Sequence, residues 1–282
     1  VQRGDEVGVM ARAFDAARGS IKRQLDEIAR LASARQKLES ELSIARQIQQ
    51  SMLPAGRAFD TGHMHVEAHA LLEPATAVGG DFYQFFELEP GVLWFAVGDV
   101  SDKGVPAALF MARTVTVLEQ QARLHRQPAR ILAGASARLA EGNEACMFAT
   151  VLCGRLEVAS GRFRLASAGH EPPLLLRADG QATLLALRGG PALGIEAADD
   201  FPEHAGELDA GGMLLGYTDG VTEAFDGQHR PYGSRRLLQA VAGHDAGAAG
   251  ACTRVLEDIR RFAAGADQSD DITLLAICRR RT

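Results

Sequence analysis

The feature that most constrains this chain is a set of apolar, strand-like runs that each meet an aspartate at one end. Leu93-Trp94-Phe95-Ala96-Val97 runs into Gly98-Asp99, and Leu214-Leu215-Gly216-Tyr217 runs into Thr218-Asp219-Gly220. Asp81 follows Val78-Gly79-Gly80, and Asp270 stands just before Asp271 and the run from Ile272 to Ile277. Each aspartate lies at the edge of a segment that a fold would bury, where a carboxylate can leave the core. Singly, each has a simpler reading as turn chemistry, because Gly tolerates positive φ and Asp bonds its own backbone. Four together point elsewhere. Converging carboxylates repel one another and resist ionisation unless cations are present. The expectation is one acidic metal site built from Asp81, Asp99, Asp219 and Asp270.

Charge is unevenly placed along the 282 residues. Residues up to Pro54 carry 9 Lys and Arg against 7 Asp and Glu, so the net −6 comes from the remainder, with 21 basic and 29 acidic side chains. An acidic domain argues against nucleic acid as a partner, since phosphate backbones are held by basic surfaces. Cys146, Cys153, Cys252 and Cys278 show no Cys-x-x-Cys pairing, so they read as reduced core thiols in a cytosolic setting. No apolar run approaches membrane-spanning length. The chain begins at Val1 within what reads as an ongoing helix, which leads us to expect a longer protein.

Residues 1–53 form a helical tract. Val7, Met10 and Phe14, then Ile21, Leu25 and Ile28, then Leu38, Leu42, Ala45 and Met52 recur at helical steps. The ten-residue step from Ile28 to Leu38 is seven plus three, a stammer in a heptad seam. With Lys, Arg, Glu and Gln filling the other positions, a parallel two-stranded coiled coil and hence a homodimer are expected, over a helix folded back on its own domain. From Pro54 onward, short strand-type segments alternate with Gly, Pro or Asp, with helical patterns at 107–125, 129–139, 234–241 and 247–262. Hairpin-length links predict mostly antiparallel sheets, and the class is an α+β sandwich. Arg279-Arg280-Arg281 reads as a solvated tail, and Gly243 to Gly250 as a surface loop.

Five segments in order also carry a family resemblance: Val78-Gly79-Gly80-Asp81-Phe82-Tyr83; Gly98-Asp99-Val100-Ser101 with Lys103-Gly104-Val105-Pro106; Ala168-Gly169-His170-Glu171-Pro172-Pro173; Tyr217-Thr218-Asp219-Gly220-Val221-Thr222-Glu223; and Asp270-Asp271-Ile272-Thr273. Over about residues 45–280 the chain resembles the bacterial sporulation and stress-response serine phosphatases, a branch of the metal-dependent protein phosphatase 2C-like family. The resemblance implies a four-layer α-β-β-α sandwich of two mostly antiparallel sheets, residues 54–282, preceded by the helical linker. It also implies a pair of Mn²⁺ or Mg²⁺ ions bridged by Asp99, with the Val100 carbonyl, Asp219 and Asp270 as further ligands and Asp81 ligating or lying beside them. Glu223 matches a ligand for a weaker third ion, while Lys103 and His170 are candidate substrate contacts. Asp102 stands where relatives often have glycine, and Gln84 where they often have aspartate. Residues 1–18, with Asp5-Glu6-Val7-Gly8, resemble the tail of a HAMP signalling helix.

Chemistry supports the same reading, because hard oxygen ligands without a His or Cys cluster suit Mg²⁺ or Mn²⁺. Two such ions activate a shared water for in-line attack on a phosphoryl group, with no covalent phosphoenzyme. The expected activity is hydrolysis of phosphoserine or phosphothreonine on a protein resembling an anti-sigma-factor antagonist. The resemblance places it on the cytoplasmic side of an inner-membrane sensor, with a membrane contact only through a preceding region. Two other classes compete. One is a non-catalytic metal-binding scaffold that sequesters such a partner, which the four intact aspartates disfavour. The other is a diguanylate cyclase, since Gly79-Gly80-Asp81-Phe82 resembles that motif but lacks its second acidic residue.

Overall fold

The computed structural model describes residues 6–243 and 247–281. Val1 to Asp5, and with them the first five residues of the HAMP-like match, lie outside the described residues. The chain divides into two units, residues 1–48 and 49–282. The first is helical, as part of helix α1 (Glu6–Ser51), which runs through Gly19 without a break. Val7, Met10, Phe14, Ile21, Leu25, Ile28 and Leu38 are all exposed along it. No helix of the described residues is long and apolar enough to cross a membrane.

Two antiparallel sheets build the second unit. One has the order β1 (Arg57–Thr61), β2 (Met64–Glu73), β11 (Ile272–Arg281), β10 (Met213–Tyr217), β7 (Leu174–Leu176) and β8 (Ala182–Leu184), and the other β3 (Phe82–Glu89), β4 (Val92–Val100), β5 (Ala149–Glu157), β6 (Arg162–Ala168) and β9 (Glu203–Glu207). Their central strands explain the apolar runs. Strand β4 (Val92–Val100) alternates Leu93, Phe95 and Val97 toward the facing sheet with Trp94 and Ala96 toward helices α2 (Val105–Leu124) and α3 (Pro128–Ala140). Both faces are buried, so the strand is apolar throughout instead of alternating with polar residues. Strand β11 (Ile272–Arg281) does the same in the other sheet. Its Leu275 and Ile277 enter the layer between the sheets, and Leu274 and Ala276 face helices α5 (Gly233–Val241) and α6 (Gly247–Ala263). The result is the expected four layers, helices–sheet–sheet–helices. Side chains such as Trp94, Phe95, Met111 and Leu132, at 0–2% exposure, each stabilise it by roughly 1.5–3 kcal/mol.

The structure corrects the sequence reading in several places. Arg279, Arg280 and Arg281 are not a solvated tail but the end of β11, paired with Val66, His65 and Met64 of β2 (Met64–Glu73). The predicted loop from Gly243 is cut short by α6, which starts at Gly247; residues 244–246 lie outside the described residues. Cys153, Cys252 and Cys278 are core thiols, but Cys146 is exposed. Edge strands β1 (Arg57–Thr61) and β9 (Glu203–Glu207) have no counterpart in the sequence reading. Each is short and polar, and Phe59 is the one fully buried residue between them, so neither carries a strand-like pattern.

Candidate metal centre

All four aspartates arrive at the same edge of the sandwich. Asp99 is the penultimate residue of β4, Asp81 immediately precedes β3 (Phe82–Glu89), Asp219 follows β10 (Met213–Tyr217) as the first residue of α4 (Asp219–Thr222), and Asp270 precedes β11. Strand pairing fixes two of them against each other, because Phe82 lies opposite Gly98. The backbone must come very close here. A Cβ on Gly80 would stand 2.7 Å from the Val100 carbonyl oxygen, and one on Gly79 would overlap the Asp271 carboxylate at 1.8 Å. Those contacts are why Gly79-Gly80 precedes Asp81.

Asp81, Asp99 and Asp219 are each perturbed by burial and by neighbouring carboxylates. Asp81 is buried, and burial followed by the charge of Asp99 raises its pKa well above the usual range. The hydroxyls of Thr218 and Thr273 oppose that shift, donating to its Oδ2 at 2.7 and 2.5 Å. Asp99 is pushed up to about 7, first by burial and then by Asp219, against a hydrogen bond from Asp81. Burial and then Asp270 raise Asp219. Lys103 supplies a nearby cation, its Nζ 2.9 Å from Asp270 Oδ2 and 2.5 Å from the Ser269 carbonyl oxygen. Among the described residues no group of three or more His, Cys, Asp or Glu side chains stands close enough together to hold a metal ion as placed. The donor set nevertheless fits divalent cations: hard oxygens only, mutually repelling, partly buried, and short of positive charge.

The remaining predicted residues fall at different distances from this cluster. Val100 has a buried side chain, and its carbonyl borders Gly80. Glu223 caps α4, its N–H donating to Asp219 O at 2.7 Å, and its charge is felt by Glu171, whose pKa is raised first by burial and then by Asp219 and Glu223. His170 turns inward, with Nδ1 2.9 Å from Thr150 Oγ1; Nε2 is buried without a partner of ordinary geometry. Burial holds its pKa down to about 4, so the ring is neutral near pH 7. Asp102 adopts φ 66°, which accounts for the glycine expected there. Gln84 donates from Nε2 to the Met52 carbonyl oxygen at 2.8 Å.

Sequence reasoning did not assign Asp271, Thr218 or Thr273. Asp271 is buried and organises the loop before Asp81, its Oδ1 accepting from Ala75 N–H at 2.8 Å and its Oδ2 from Gly80 N–H at 3.0 Å. The signal was the Asp270-Asp271 doublet, whose members a sequence cannot orient. A cavity of about 280 Å³ lies behind the site, lined by Gly220 and Ser269 together with Ala224, Leu256 and Ile259.

The family model for stage II sporulation protein E (SpoIIE) matches residues 89–280. Protein IcfG of Synechocystis is 30% identical over 98% of this chain and 47% of its own length. Phosphoserine phosphatase RsbU of Bacillus subtilis is 29% identical over 68% of this chain and 56% of its own length. The chain thus spans about half the length of the curated relatives it matches. Among solved structures, the SiaA-PP2C domain of Pseudomonas aeruginosa superposes with a TM-score of 0.75 at 21% identity, covering 89% of this chain and 99% of that one, which shows the fold. Two more distant structures with this fold contain metal. RsbX holds magnesium (TM-score 0.57, 14% identity, 79% and 98% covered), and the phosphatase PstP holds two manganese ions (0.52, 16%, 77% and 99%).

Proposed function

This chain belongs to the SpoIIE family, and on that premise we propose that it is a metal-dependent phosphatase acting on phosphoserine or phosphothreonine of a protein. The observation that carries the reading is the convergence of Asp81, Asp99, Asp219 and Asp270 from four separate segments, with the pKa of Asp81, Asp99 and Asp219 raised by burial and then by carboxylate neighbours. Asp99, the Val100 carbonyl, Asp219 and Asp270 would hold two Mn²⁺ or Mg²⁺ ions, with Asp81 beside them and Glu223 toward a weaker third. Bound there, the ions supply an activated water and neutralise phosphoryl charge.

The protein's own part is to hold these groups still. Thr218 and Thr273 fix the Asp81 carboxylate, and Asp271 fixes the loop that delivers it. Lys103 is paired with Asp270 and sits where it can turn to an incoming phosphate dianion, exchanging one anionic partner for another. His170, half-buried and neutral, supports the wall through Thr150 and is the poorer candidate for a substrate contact.

The name of RsbU supports phosphoserine as substrate, and the family resemblance supports a partner-switching protein of the anti-sigma-factor-antagonist kind. Residues 1–53 are read as a HAMP-like tail and dimerising coiled coil, which the exposed apolar series on α1 supports, feeding residues 54–282 as output of a membrane sensor. Phosphate release from a phosphoserine peptide should require Mn²⁺ or Mg²⁺, stop with EDTA, and be lost in Asp99→Ala. Release that persists in EDTA or in the variant would refute the metal mechanism.

A further inference from the structure

We infer that Gln49 is a positioning residue for Asp81 and Asp99, acting through the backbone of Gly79. The inference rests on the reading of these carboxylates as a metal site. Gln49 Nε2 donates to the Gly79 carbonyl oxygen at 2.6 Å, and the Gly79 N–H donates back to Gln49 Oε1 at 3.2 Å. One carboxamide therefore holds both polar groups of a single residue. Asn is one methylene too short for this grip, and an ionised Glu has no N–H to give.

Opposite Gln49, the same segment is held by Asp271, through Ala75 and Gly80 N–H, and a Cβ on Gly79 would collide with that carboxylate. The segment is thus clamped from two sides, two residues before Asp81. The Gln49 side of the clamp is itself anchored. Gln84 Nε2 holds the Met52 carbonyl oxygen at 2.8 Å, and Met52 and Leu53 pack on the core formed by β4, α2 and α3. Gly79-Gly80 has more conformational freedom to lose than any other dipeptide. Without the grip, the loop would sample positions that carry Asp81 away from its threonine partners and from Asp99. Two part-buried hydrogen bonds bias such an equilibrium by about 5- to 30-fold.

The test uses the full chain with Gln49→Ala and Gln49→Met, the second keeping side-chain volume while removing both bonds. Electron paramagnetic resonance reads Mn²⁺ affinity, hydrogen exchange reads the Gly79 and Gly80 amides in metal-free protein, and an aryl phosphate reads kcat and KM. Expected in both variants are Mn²⁺ binding weakened about 5- to 30-fold and faster exchange at the two glycines, with kcat lowered and KM within about twofold of wild type. Wild-type Mn²⁺ affinity in both variants would overturn the inference, as would a fall in melting temperature with no change in metal affinity. Because metal binding is read without turnover, a wild-type protein that binds Mn²⁺ but releases no phosphate would refute the phosphatase reading and leave this test standing.

Discussion

Strand β11 begins beside Asp270 and Asp271 and carries Arg279 near its other end, so one strand serves two ends of the sandwich that treat buried charge in opposite ways. Arg279 is 7% exposed, and its guanidinium donates to three carbonyl oxygens, those of Val158 at 3.0 Å, Leu208 at 2.9 Å and Ala159 at 2.6 Å. Those acceptors belong to the connections bounding β5 (Ala149–Glu157), β6 (Arg162–Ala168) and β9, so the arginine ties the two sheets together. At the opposite end, Asp81 and Asp99 are also taken out of water, but their nearest charged neighbours are other carboxylates. A buried charge whose valences are met by fixed dipoles holds a fold together. One whose neighbours share its sign costs the fold stability and is kept for something that binds.

Breaking the satisfied end should cost the most stability. Arg279→Met leaves the buried carbonyl oxygens of Val158 and Leu208, and the carbonyl of the exposed Ala159, without this donor and should destabilise the domain by about 3 kcal/mol or more in a urea titration. Phosphate release per folded molecule should be unchanged. Lost activity at unaltered stability would erase the contrast between the ends.

Asp271 sharpens the comparison because it lies at the metal end yet is satisfied like Arg279. Asp271→Ala should cost about 2–3 kcal/mol through the lost bonds to Ala75 and Gly80. It should also weaken Mn²⁺ binding. An effect on stability alone would group it with Arg279.

The smallest effect concerns pH. Burial keeps His170 neutral, with its pKa lowered from 6.5 to about 4, so the unfolded chain takes up a proton before the folded one does. Stability from this group is fully present above about pH 6.5 and is lost as pH falls through 4. Relative to His170→Gln, the wild type should lose on the order of 2 kcal/mol over that window, read from melting curves. A constant difference between the two would show that the ring is not held neutral.

These contrasts also mark what the sequence could show. Asp99, Asp219 and Asp270 were legible because each adjoins a run buried on both faces, and such a run in β4, β10 or β11 is unbroken up to the point where the chain leaves the core, while Asp81 was marked by the Gly79-Gly80 pair before it. Arg279 was not, since three consecutive arginines carry no sign that the first faces inward and finds carbonyls from distant turns. Asp271 was hidden by its neighbour, as the direction of each carboxylate is set by how the chain enters β11. Gln49 lies among Gln47, Gln49 and Gln50 on a polar helix, and only the proximity of Gly79, thirty residues on, distinguishes it. Long-range partners decide such roles, and periodicity reports only which face is apolar.

The aspartate end is destabilised by its own charge and relieved by a divalent cation. Thermal melting of the wild type and Asp99→Asn at pH 7.5, each without metal and with saturating Mn²⁺, tests it most directly. The variant should melt higher than the wild type without metal, and Mn²⁺ should raise the wild type well above its own metal-free value while moving the variant little. A wild type unmoved by Mn²⁺, or a metal-free variant that melts lower than the wild type, would contradict it.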